Sequence, residues 1–249
     1  MRDHQGDYGY DGSFETVSAR GQVVGVAVSS TALFAAAGFA LARGHRLAAA
    51  IAAASATEIL ATAASFVYAT RSGKFRVWSE VLDDLGLRGD ETVLDLGCGR
   101  GAVLLAVAKQ LPAGLAIGVD LWHADQTGNS QQATLTNAAL EGVADRIELH
   151  TADMTALPLA DDSVDAIVSN LAIHNIPERA GRRQALQEAI RVLRPGGRLA
   201  IGDLWETRQH AELLRELGWR DVRRRNLGWR MWYGGPWFST RLVTATKPD

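Results

Sequence analysis

The first residues that could do chemistry lie in Val93-Leu94-Asp95-Leu96-Gly97-Cys98-Gly99-Arg100-Gly101, where an apolar run meets an acid and then three alternating glycines. Glycine tolerates positive φ and carries no side chain to hold a ligand away from the backbone. Amides exposed at the start of a helix suit a carboxylate or another electron-rich group. Read as Gly97, Gly99 and Ala102, the same turn also satisfies a dinucleotide-binding fingerprint. Asp95 opposes that reading, because a carboxylate just before the glycines repels a pyrophosphate. A zwitterionic ligand beside a sulfonium brings positive charge instead.

Three more apolar runs end in polar residues. Gly118-Val119-Asp120 puts a carboxylate where it can accept two hydrogen bonds from a ribose diol, a device that nicotinamide sites share. Ala152-Asp153-Met154 offers an acid for an adenine amino group and a thioether to pack on the ring. Asp165-Ala166-Ile167-Val168-Ser169-Asn170-Leu171 runs into a polar loop that continues to Ile173-His174-Asn175. Histidine is the side chain best suited to proton transfer near neutral pH, so His174 is the candidate general base. Its alternative is a hydrogen-bonded loop histidine. His123, beside Trp122, is a weaker candidate. Trp229, Trp232, Tyr233 and Trp237 could wall an apolar pocket or simply pack strands. Cys98 reads as a small buried filler. As the only cysteine, it leaves no internal disulfide and no multi-cysteine metal site. No metal-ligand set is recognisable.

The elements that must position these residues alternate. The apolar patterning predicts strands over 92–96, 115–120, 146–150, 164–169 and 198–203, with helices over 75–85, 102–111, 131–141, 182–193 and 206–217. Pro195-Gly196-Gly197 closes the fourth of these helices, and two last strands are expected over 222–232 and 239–246, around Gly234-Gly235-Pro236. Alternation of this kind implies a doubly wound, mostly parallel α/β sheet, which binds ligands beyond the carboxyl ends of its strands. The polar residues singled out above all fall at such ends.

In this order the motifs, with Val192-Leu193-Arg194-Pro195-Gly196-Gly197 as the fifth, resemble the class I S-adenosylmethionine-dependent methyltransferases. The resemblance runs from about residue 78 to 246 and points to the small-molecule branch. The Pro-Pro-aromatic signature of amino-methylating DNA enzymes is absent, since Asn170 is followed by Leu171-Ala172. The resemblance implies a Rossmann-like fold and S-adenosyl-L-methionine as cofactor. It also implies that Gly97, Gly99 and Gly101 line the methionine part and that Asp95 serves its ammonium. Asp120, with Leu121 after it, would hold the ribose, Asp153 and Met154 the adenine, while Asn170 and Leu171 would close the site near the sulfonium.

The 249 residues divide into an expected mobile polar tail (1–20), an apolar helical hairpin (21–72) and a catalytic domain (73–249). Residues 23–42 carry no charge, and residues 47–70 carry only Glu58, so each is long enough for a bilayer-crossing helix. A soluble alanine-rich hairpin is the alternative. Arg20, Arg71, Lys74 and Arg76 flank the hairpin on the domain side against Arg43 and Arg46 in its turn, which places the catalytic domain in the cytosol at the cytoplasmic membrane. A net charge of −2 gives no field for nucleic acid. The expected partner is a small, lipophilic acceptor. A membrane-anchored protein methyltransferase and a nicotinamide oxidoreductase stand as alternatives.

Overall fold

The computed structural model describes residues 4–12 and 17–249. The chain forms α1 (Ala19–Ala42), α2 (Arg46–Tyr68), α3 (Lys74–Leu85), β1 (Thr92–Leu96), α4 (Leu104–Gln110), β2 (Leu115–Asp120), α5 (Gln131–Glu141), β3 (Ile147–Thr151), β4 (Val164–Asn170), α6 (Arg179–Val192), β5 (Leu193–Asp203), α7 (Thr207–Glu216), β6 (Arg220–Asn226) and β7 (Arg241–Thr246). The seven strands lie in the order β3-β2-β1-β4-β5-β7-β6, with β7 antiparallel to both its neighbours. The chain reverses its direction of winding between β1 and β4, and the crevice at that point is where a doubly wound sheet takes its ligand.

Successive strand residues serve opposite faces, as the pleat requires. Val93, Ala116 and Val168 pack under Trp78 and Leu82 of α3 and Leu104 of α4. Leu94, Ile117 and Ile167 pack under Leu186 and Ala189 of α6 and Leu214 of α7. Helices therefore cover both faces, and only the strand ends are left for polar work.

The hairpin meets the domain at the carboxyl edge of the sheet. α2 does not stop at a linker near residue 72. It passes through a π-helical turn, Ala69–Gly73, directly into α3. Gly73 is required there, because a Cβ would strike the carbonyl of Arg230 in the segment between β6 and β7. Tyr68 stacks on Trp229 with ring centroids 5.0 Å apart, and Ser65 Oγ donates to the Trp232 carbonyl at 2.8 Å. Beyond this foot the hairpin is packed mainly on itself. Val23, Val28, Phe39, Leu47 and Ile51 are all exposed, and both helices are long and apolar enough to cross a membrane.

Three features depart from the sequence expectations. Residues 1–3 and 13–16 of the expected mobile tail lie outside the described residues, but residues 4–12 are not loose. They form a strap against the domain, with Tyr8 buried and its hydroxyl donating to Glu141 Oε1 at 2.9 Å. The strand expected over 222–232 ends at Asn226, since Gly228, Gly234 and Gly235 at positive φ turn the chain out of the sheet through two short 3-10 turns. Lys74 is no surface charge. Its side chain is 2% exposed and lies inside the domain.

Candidate functional site

A cleft of about 980 Å³ opens at the switch point. β1 delivers Asp95 and the glycine turn, β2 delivers Asp120 and Leu121, the turn after β3 delivers Asp153 and Met154, and β4 delivers Asn170 and Leu171. His174 lines the same cleft from the 3-10 turn that follows. Trp229, Trp232 and Trp237 lie outside this cleft, and among the residues expected to bind the cofactor Gly101 is the exception. It lies behind the turn at φ +87°, where a Cβ would meet Leu105 and Thr134, so its contribution is to the shape of the loop.

Gly97 and Gly99 stand at φ +70° and +50°. A Cβ on Gly97 would strike Ala172, and one on Gly99 would strike Gln126 Oε1, so a side chain at either position would crowd the cleft. Asp120 holds the turn from below: Gly99 N donates to its Oδ2 at 2.8 Å and Trp122 N to its Oδ1 at 2.6 Å. A carboxylate offers about four lone-pair directions, so capacity remains for a ligand's hydroxyls. Asp153 Oδ1 is engaged by Thr155 N at 2.8 Å.

Asp95 is wholly enclosed. Burial, reinforced by the charge of Asp120, pushes its carboxyl up to about 8. Asp95 Oδ2 and Asn170 Oδ1 are both buried without a hydrogen-bond partner, and both residues line the cleft. Two unpaired oxygens in one enclosed site suit a ligand that brings N–H donors and positive charge. Burial, then the charges of Asp95 and Asp120, hold the Cys98 thiol well above its ordinary range, so it stays a neutral filler.

The sequence reading missed several participants. Asp203 ends β5 and is 1% exposed, with Oδ1 2.5 Å from His174 Nδ1 and Oδ2 accepting from His174 N at 3.1 Å. Its position at a strand's carboxyl end was the available signal, the same one that picked out Asp95 and Asp120. The backbone bond fixes the turn that carries His174 and sets the carboxylate against the Nδ1 edge of its ring, although Nδ1 itself is not aligned for a hydrogen bond. Asp11, on the strap, gathers Lys74 Nζ at 2.8 Å, Tyr233 OH at 2.9 Å and Thr70 Oγ1 at 2.9 Å. Gln126 ties this cluster to the glycine turn: its Nε2 donates to Asp11 Oδ1 at 3.2 Å, and its Oε1 accepts from Arg100 N at 2.9 Å. Asp11, Lys74, Tyr233 and Phe66 of α2 all line the cleft. Lys74 was within reach of the sequence, because it shares the helical stripe of Val77, Trp78, Val81 and Leu85.

Residues 94–201 match the methyltransferase-domain family. An arsenite methyltransferase from Halobacterium salinarum is 36% identical over 47% of this chain and 28% of its own length. A demethylmenaquinone methyltransferase from Lactiplantibacillus plantarum is 36% identical over 51% of this chain and 51% of its own. The chain thus spans about half or less of the length of these curated relatives. A solved S-adenosylmethionine-dependent methyltransferase from Aquifex aeolicus shares the fold, with a TM-score of 0.54 and 23% identity over 68% of this chain and 88% of that one. The glycine turn with its buried acid, the acids at successive strand ends and the seven-strand order agree with these likenesses and favour a methyltransferase over the nicotinamide alternative, and residues 94–201 form a methyltransferase domain similar to those of class I S-adenosylmethionine-dependent enzymes.

Proposed function

We propose that this protein transfers a methyl group from S-adenosylmethionine to a small, lipophilic acceptor, working at the cytosolic face of the cytoplasmic membrane to which its hairpin anchors it. The observation that carries the reading is shared geometry: Phe66, on the apolar hairpin, lines the same cleft as Gly97 and Asp120. An acceptor dissolved in the bilayer would therefore meet the catalytic cleft at the foot of the anchor. The relatives named above carry names that point to acceptors as different as arsenite and a quinone precursor, so the acceptor is inferred from the hairpin and not from them.

When bound, the cofactor supplies an electrophilic methyl on a sulfonium leaving group. Asp95 and Asn170 present oxygens to its donor groups, Asp120 offers its remaining lone pairs to the ribose hydroxyls, and Asp153 with Met154 takes the adenine. Enclosure in the cleft aligns acceptor and methyl, a positioning effect worth several kcal/mol in favourable cases. His174, oriented by Asp203, takes the proton of an acceptor that must lose one. The orientation in the membrane rests on Arg20, Arg71 and Arg76 against Arg43 and Arg46, since Lys74 is spent on Asp11.

The test is carbonate extraction of membranes followed by incubation of the pellet with radiolabelled S-adenosylmethionine and a lipid extract. Full-length protein in the pellet and label in the organic phase support the proposal. Protein in the supernatant would favour a soluble hairpin, and label on polypeptide would favour a protein acceptor.

A further inference from the structure

A second concavity, of about 410 Å³, runs beside α2. Ala61, Ala64 and Tyr68 of the helix form one wall, and Trp229, Trp232 and Trp237 of the segment between β6 and β7 form the other. Its polar members are few: Ser65, whose Oγ donates to the Trp232 carbonyl, and Thr62 and Glu58 towards the far end. A peptide laid here would find few partners for its backbone amides, whereas a hydrocarbon chain needs none. The groove continues along α2 from Tyr68 to Glu58, about 15 Å at the rise of a helix. Above that level lie the uncovered Ile51 and Leu47. Trp229 and Trp237 are 59% and 72% exposed at the groove's rim, the amphipathic rings that favour a membrane–water boundary.

The groove and the cofactor cleft share a wall two residues wide. On α2, Ser65 faces the groove and Phe66 the cleft. On the loop, Trp232 faces the groove and Tyr233 the cleft. The Phe66 and Tyr233 rings meet edge to face, 6.2 Å between centroids. Their separation depends on one loop, shaped by Gly234 and Gly235 at φ +109° and +114°.

We propose that this groove is a lateral port. It holds the hydrocarbon chain of a bilayer-resident acceptor and delivers the acceptor's head between Phe66 and Tyr233 into the cleft. The proposal rests on the membrane reading above and adds the binding site for the chain. It is tested with full-length protein and vesicles of phosphatidylcholine and phosphatidylglycerol whose acyl chains are brominated. Flotation reports membrane binding. Quenching of tryptophan fluorescence in a background carrying Trp229→Phe and Trp237→Phe, less that of the same background with Trp232→Phe added, reports chain contact with Trp232, because Trp78, Trp122, Trp205 and Trp219 contribute to both. The expected result is flotation with quenching. Filling the groove by Ala61→Phe with Ala64→Phe should preserve flotation and calorimetric binding of S-adenosylmethionine while reducing the quenching by at least about twofold. Ala61→Leu, a milder change, should give an intermediate reduction. Flotation with undiminished quenching in the filled variants overturns the port and leaves the anchor standing. Failure of the parent protein to float overturns both.

Discussion

Asp95 should release a proton when S-adenosylmethionine binds. Its carboxyl sits at about 8, first because it is desolvated and then because Asp120 is nearby. At pH 7 a group with that affinity is about 0.9 protonated. An ammonium brought against it favours the ionised form, so binding should expel close to one proton. Calorimetry in phosphate and in Tris, which differ widely in ionisation enthalpy, reads this directly: the slope of observed enthalpy against buffer enthalpy is the number of protons released. If only the ionised form binds well, affinity should fall about 50-fold between pH 8 and pH 6, or about 2.3 kcal/mol. The unliganded fold should behave in the opposite sense. A carboxyl raised above its ordinary 3.8 stabilises the fold fully only below that value, and the contribution is lost as pH climbs through about 8. Asp95→Asn should abolish both dependences. A zero buffer slope with pH-independent affinity in the wild type would refute the argument and leave Asp95 as a structural residue.

Other perturbations divide binding from turnover. Gly99→Val should eliminate cofactor binding measured by calorimetry while leaving circular dichroism close to wild type, because its side chain would collide with Gln126 and close the turn. Asp120→Ala should weaken binding by about 1.5–3 kcal/mol, the scale for losing charge-assisted hydrogen bonds, and an unchanged affinity would reduce Asp120 to a cap for Gly99 and Trp122. His174→Ala and Asp203→Asn should both lower kcat, by about 10²–10⁴-fold for an acceptor that must be deprotonated, with cofactor affinity intact. A wild-type rate across the pH range in both would leave positioning as the source of catalysis.

The parts of this fold legible from sequence were those written in local periodicity. β1, β2 and α5 fall on the expected residues, because an apolar run, a glycine or a cap marks each end, as Ser130 and Gly142 do for α5. Strand-end acids then pointed to the cleft without any knowledge of the fold's third dimension. The Asp11 cluster was not legible, since its bonds join residues 59, 63 and 222 positions apart and no local pattern records such meetings. The 227–232 segment failed for another reason. Its aromatic content reads as strand, yet Gly228 at positive φ, with Gly234 and Gly235 beyond it, overrides that propensity and turns the chain towards α2.

The strap also changes what kind of object the hairpin is. Asp11 N donates to Thr70 Oγ1 at 2.9 Å, so the chain leaves the domain and returns to it at one point. Some sixty residues, 24 of them in α1 and 23 in α2, form a detour between two neighbours, and the domain's path is already closed beneath it. A short polar bridge in place of the detour would rejoin ends that already touch, at little cost in loop entropy. If the hairpin is an anchor, a different stalk could be grafted onto these feet with the glycine turn and the strand-end acids left in place, provided that Phe66, which α2 lends to the cleft, is kept.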